Sequence, residues 1–85
     1  MKCWVYILFS EKLGKYYIGS SKDPETRLKY HNLGKKGWTK RGIPWEIVFQ
    51  QEFEDKTTAM SKERFIKKKK SKKFIGRIIS GEYKL

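Results

Sequence analysis

The chain is poor in acid, cysteine and histidine: 9 Asp and Glu stand against 21 Lys and Arg, with a single Cys and a single His. The lone Cys3 excludes an internal disulfide and gives no sign of an oxidising compartment. The lone His31 excludes a histidine-rich metal site. Long apolar runs are missing as well, since the longest, Trp4 to Phe9, falls far short of the roughly 18 residues a membrane-spanning helix needs. No charged, apolar and small-residue leader opens the sequence, so the expectation is a cytoplasmic protein with no membrane partner. No internal repeat or domain boundary is visible, which predicts one domain, 1–85. At that length folding hides only about 60% of the surface the unfolded chain exposes, so there is room for one core and little else.

What is present is positive charge and aromatic surface. A net charge of +12 repels itself unless a polyanion compensates, and an aromatic share of 15% supplies both a core and rings that can stack. Nucleic acid is the natural partner, ahead of an acidic membrane surface or a charge that serves only solubility.

Cys3 to Phe9 and Tyr16 to Ser20 are rich in aromatic and β-branched residues and flank the turn-like Glu11-Lys12-Leu13-Gly14-Lys15, which predicts a hairpin. Tyr6 and Tyr17 share a face only if opposed residue numbers sum to an odd value, as when Leu8 faces Tyr17. Gly19 then lies opposite Tyr6 and leaves space over its ring. Asp23-Pro24-Glu25 starts a helix expected to run to about Leu33, where Gly34 offers a left-handed stop. Gly34 to Pro44 has no helix or strand period and reads as an exposed basic loop. Trp45 to Phe53 reads as a third strand with Ile47 and Phe49 on one face and Val48 on the other. Asp55 or Thr57 can cap a helix through Lys69, and Ser71 can cap another that carries Phe74, Ile75, Ile78 and Ile79 and ends at Gly81.

Several residues in this frame can carry chemistry. Glu63 sits beside Ala59, Met60 and Ile66 on its helix, at the edge of the buried seam, where a carboxylate needs a partner. Either it pairs with a lysine or Arg27, or it reaches toward the sheet as a metal ligand; one carboxylate with waters and phosphate oxygens is an acceptable Mg²⁺ site. Arg27 is a solvated helix residue or a phosphate fork. His31, four residues on, is an ordinary helix-face histidine or a proton carrier. Tyr6 and Tyr17 are strand aromatics, or phenols whose ionised form is favoured by cations such as Arg27, Lys15 and Lys22.

Trp4-Val5-Tyr6, then Tyr17-Ile18-Gly19, then Arg27, His31 and Glu63 in that order and spacing resemble the GIY-YIG nuclease superfamily, particularly its small single-domain members, over nearly the whole chain. The resemblance implies an α+β fold, a three-stranded antiparallel sheet flanked by helices in the order β-β-α-β-α-α. It implies a site on one sheet face lined by Tyr6 and Tyr17, one of them the base for the attacking water. Arg27 would hold the scissile phosphate, His31 assist proton transfer, Glu63 bind Mg²⁺ or Mn²⁺, and Gly19 close the second motif. Two differences stand out: Trp4-Val5 replaces Gly-Ile, and the asparagine that several relatives carry after the glutamate is missing, Asn32 being the only one.

The function implied is a metal-dependent endonuclease of low sequence specificity, acting on DNA rather than RNA, alone, as a homodimer or with a repair-complex partner. Lys35, Lys36, Lys40 and Arg41, with Lys67, Lys68, Lys69, Lys70, Lys72 and Lys73, are expected to follow the backbone, and Trp38 to stack on an unpaired base. The alternatives are a nucleic-acid-binding module with little cleavage and a repair-complex accessory protein.

Overall fold

The computed structural model describes residues 2–34 and 37–85. Strands β1 (Cys3–Ser10) and β2 (Lys15–Ser21) form the hairpin, helix α1 (Pro24–Asn32) follows, and a 3-10 helix (Trp38–Gly42) leads into β3 (Trp45–Phe53). Helices α2 (Lys56–Lys69) and α3 (Lys72–Ser80) complete the chain. The sheet is antiparallel in the order β2-β1-β3, so β1 is central and β2 is an edge.

Alternation along β1 sends side chains to two apolar layers. Val5 and Ile7 pack with Ile18, Ala59, Ile66, Ile75 and Ile78 under α2 and α3. Tyr6 and Leu8 pack on the opposite face with Trp45, Tyr17, Leu28, Ile43 and Ile47, beneath α1. Each aliphatic side chain fully buried in these layers contributes about 1.5–3 kcal/mol. The hairpin register places Leu8 opposite Tyr17 and Tyr6 opposite Gly19, as the odd-sum rule requires.

The third strand departs from simple alternation. Opposite β1, Ile7 pairs with Phe49 while Leu8 pairs with Ile47, so Val48 is an extra residue in a bulge. Ile47 therefore joins the Tyr6 layer while Val48 and Phe49 both pack on the α2–α3 layer, which corrects the expectation that Ile47 and Phe49 share a face. The stretch expected to be loop also contains the 3-10 helix at Trp38–Gly42. Lys35, Lys36 and the Trp38 side chain lie outside what the structure describes.

Caps fix the helix ends. Asp23 accepts from the Thr26 amide with Pro24 in the first turn, Asp55 accepts from the Thr58 amide, and Ser71 from the Phe74 amide. Gly34 and Gly81 take positive φ after α1 and α3. Between α2 and α3 the left-handed position is occupied by Lys70, at φ 48°.

A polar clamp joins α1 to the far side of the sheet. The Asn32 amide donates to the Trp45 carbonyl at 3.1 Å and accepts from the Trp45 amide at 2.7 Å. The Trp45 indole donates to the Thr39 carbonyl at 2.6 Å, and the buried Ser10 hydroxyl donates to the Gly42 carbonyl at 2.7 Å, so the 3-10 helix is tied to the same corner. Asn32→Ala removes both clamp bonds to the Trp45 backbone, and it should cost about 1–3 kcal/mol. Thermal denaturation will show this as a lowered Tm with the far-UV circular dichroism of the folded state retained.

Candidate active site

Tyr6 stands on the central strand and is 1% exposed. Its ring can lie across β2 because residue 19 is glycine: a Cβ there would meet the Tyr6 hydroxyl oxygen at 2.5 Å and Cζ at 2.7 Å. The hydroxyl is thereby carried from the middle of the sheet toward its β2 edge. Tyr17 lies beside it with ring centroids 6.4 Å apart, and the His31 ring packs on Tyr17 at 4.5 Å.

Arg27 reaches the same place from α1. Burial pushes the Tyr6 phenol above its ordinary pKa; a hydrogen bond with the Arg27 side chain, and its charge, pull the other way, while neighbouring Tyr17 and Glu63 add to the rise. Arg27 is exposed and also lies over the Tyr30 ring, 5.4 Å from the centroid. His31 is 5% exposed, and neither ring nitrogen has a hydrogen-bond partner among the described residues. Burial lowers its pKa and the charge of Arg27 lowers it further, so the imidazole is neutral at neutral pH.

Glu63 comes from α2, past the edge of the sheet. Its Oε1 accepts from the Ser20 hydroxyl at 2.6 Å and its Oε2 from the Lys67 ammonium at 2.6 Å. The ion pair with a lysine is thus present, and the other oxygen of the carboxylate faces the sheet. Ser20 had escaped the sequence reading. Its only signal was position, since the residue after Gly19 must point to the opposite face, toward α2.

The surface at this edge is hollow on both sides of Ser20. One hollow of about 520 Å³ is lined by Ser20, Ser21, Lys22, Arg27, Lys2 and Lys56, with Cys3, Asp55 and Thr57. A smaller one of about 210 Å³ is lined by Glu63, Lys67, Met60 and Arg64. Ser20 links them, because it lines the first and holds the glutamate of the second. The larger hollow has the size and the charge for a phosphodiester group.

The outlying basic residues divide. Lys40 and Arg41 are exposed on the 3-10 helix. In the lysine run, Lys67 holds Glu63, Lys69 lies over the Phe65 and Phe74 rings, and Lys72 donates to the Gly14 carbonyl at 2.7 Å. Lys68, Lys70 and Lys73 are exposed.

A hairpin bearing two phenols, a helix arginine and histidine, and a glutamate from the helix after the third strand define a class of small α+β nuclease-type domain. The chain belongs to that family: residues 2–75 match the GIY-YIG catalytic domain. It is 39% identical over 70 residues to a UPF0213 protein of Streptococcus pneumoniae, covering 81% of this chain and 70% of that one. It is 43% identical over 61 residues to the structure-specific endonuclease subunit slx1 of Schizosaccharomyces japonicus, covering 65% of this chain but 22% of that protein. The solution structure of a UPF0213 protein from Bacillus halodurans superposes with a TM-score of 0.57 at 33% identity, over 94% of this chain and 84% of that one.

Among the described residues no group of three or more His, Cys, Asp or Glu forms a metal cage, and no helix is long and apolar enough to cross a membrane. A single carboxylate suits an ion such as Mg²⁺, which keeps several waters and shares substrate phosphates. Glu63, held by Ser20 on one oxygen and Lys67 on the other at the rim of an open hollow, presents one such carboxylate.

Two outcomes follow from this geometry. Gly19→Ala must displace the Tyr6 ring, and it should cost about 1–3 kcal/mol in thermal denaturation and shift the Tyr6 ring resonances. His31, depressed in the folded chain, gives stability that is complete above the unfolded value of about 6.5 and is lost as pH falls through the folded value. Proton NMR should place its titration below pH 6.5, and His31→Phe should flatten the acid limb of Tm against pH.

Proposed function

We propose that the chain is a divalent-metal-dependent endonuclease that hydrolyses phosphodiester bonds with little sequence selectivity, with DNA as its first candidate substrate. One observation carries this reading: the Tyr6 hydroxyl lies over Gly19 at the β2 edge, with the Tyr17 ring beside it, the Arg27 side chain acting on it and Glu63 held by Ser20, the next residue of the same strand. Groups from two strands and two helices meet there, although none is near another in sequence. Family membership and the name of the slx1 relative support the same class of activity.

Arg27 holds the scissile phosphate, since a guanidinium keeps its charge and presents a fixed fork of donors to phosphate oxygens. Tyr6, held protonated by burial, donates a hydrogen bond to the same group. His31 is neutral, its ring nitrogens have no partner among the described residues, and its ring packs on that of Tyr17, so the imidazole is the group that takes the proton of the attacking water. Water oxygen bonds to phosphorus as the bond to the leaving oxygen breaks, and no covalent enzyme intermediate forms. Glu63 would hold Mg²⁺ or Mn²⁺, which when bound supplies positive charge against that developing on the phosphate and leaving oxygen. Lys22, Lys40, Arg41 and the exposed lysines between α2 and α3 hold flanking phosphates and carry no base readout.

A second reading, a nucleic-acid-binding module or repair-complex accessory with little cleavage of its own, is favoured by one feature. Both oxygens of Glu63 are already engaged within the chain.

Nicking of supercoiled plasmid with Mg²⁺ or Mn²⁺ separates the two. Native protein should nick, and Arg27→Ala and Glu63→Ala should each lose about 10²-fold or more, as is typical when one charge-stabilising group is removed. Glu63→Ala should keep its salt-sensitive binding. Binding without nicking by the native protein would overturn the enzyme reading in favour of the module.

A further inference from the structure

Glu63 is half-shielded, with 19% of its side chain exposed, and its two oxygens have different partners. Oε1 accepts from Ser20, whose hydroxyl is neutral and whose backbone belongs to β2, paired to the central strand. Oε2 meets the ammonium of Lys67 at 2.6 Å, one helical turn along α2, on a side chain that is 53% exposed. One contact is anchored in the sheet and the other is a flexible cation on a four-carbon stem.

We propose that Lys67 is the exchangeable counter-ion of Glu63: its ammonium occupies the carboxylate oxygen that a divalent cation needs, and it must swing away before the cation can bind. This rests on the reading of Glu63 as the metal ligand. Ser20 is a positioning residue that keeps the carboxylate aimed in both states. The hollow lined by Met60, Glu63, Arg64 and Lys67 gives room for the exchange at the surface of α2. Lys67 gives the largely shielded carboxylate a cation whenever metal is scarce. The same contact lowers the apparent metal affinity, because binding has to break an ion pair first.

The test is a Mn²⁺ titration of the full chain without nucleic acid, read by loss of the free-ion electron paramagnetic resonance signal. Native protein, Lys67→Met, Lys68→Met and Glu63→Gln are compared, with circular dichroism confirming each fold. Lys67→Met keeps the helix and the side-chain length, and it should bind Mn²⁺ about 1.5- to fivefold tighter, the range that exposed ion pairs correspond to. Lys68→Met, which removes the same charge from the exposed neighbour, should gain clearly less. Equal affinity for Lys67→Met and Lys68→Met overturns the counter-ion role while leaving Glu63 as the ligand, provided Glu63→Gln loses the site. Native protein and Lys67→Met that bind no more Mn²⁺ than Glu63→Gln overturn both this inference and the metal reading beneath it.

Discussion

The Tyr6 phenol crosses a strand because that strand has no side chain beneath it. Tyr6 is on the central strand, where an aromatic would ordinarily end in a closed core, and an added Cβ at residue 19 would fall within 2.5 Å of its oxygen. Everything polar in the site is arranged around the end of that ring. Arg27 approaches it from α1, Tyr17 lies beside it on β2, and Glu63 comes around the β2 edge from α2. The hairpin register is therefore the primary constraint, since a slip by one residue would send Tyr6 to the other face.

Around this point the chain sets charges against one another at short range within a strongly cationic whole. Burial and Arg27 keep His31 neutral, burial keeps Tyr6 protonated, and Glu63 is a carboxylate that acts on the Tyr6 phenol. Such pairs of groups, shifted by their surroundings toward opposite proton roles, are a general property of acid–base sites. Outside the site the chain carries a surplus of positive charge, a net +12, whose field extends to longer range.

Much of this frame was readable from residue types. Asp23-Pro24, Asp55 and Ser71 mark their helix starts, and the parity of Leu8 and Tyr17 sets the hairpin register. What could not be read depended on contacts between distant segments. The bulge at Val48 has no glycine or proline to announce it, and its effect is to send Ile47 and Phe49 to opposite layers. The 3-10 helix at Trp38–Gly42 is held by Trp45, six residues on from Thr39, and by Ser10 from the far end of β1. Asn32 stood out only as the chain's one asparagine, yet its amide matches a backbone donor and acceptor of Trp45. Ser20 gave no chemical signal, because a serine on a strand gains its meaning from the glutamate that reaches it.

Among the described residues β2 is paired on one side only, and a strand at a sheet edge is the kind of surface on which another chain can add a strand. Lys15 begins that strand and Lys22 follows it, and Lys67, Lys70 and Lys72 line a groove beside Lys15, Tyr16 and Ile18. Two copies brought edge to edge would press these ammonium groups together. Lysine crowded at the margin of a sheet is one of the devices that keep edge strands from pairing with a second sheet.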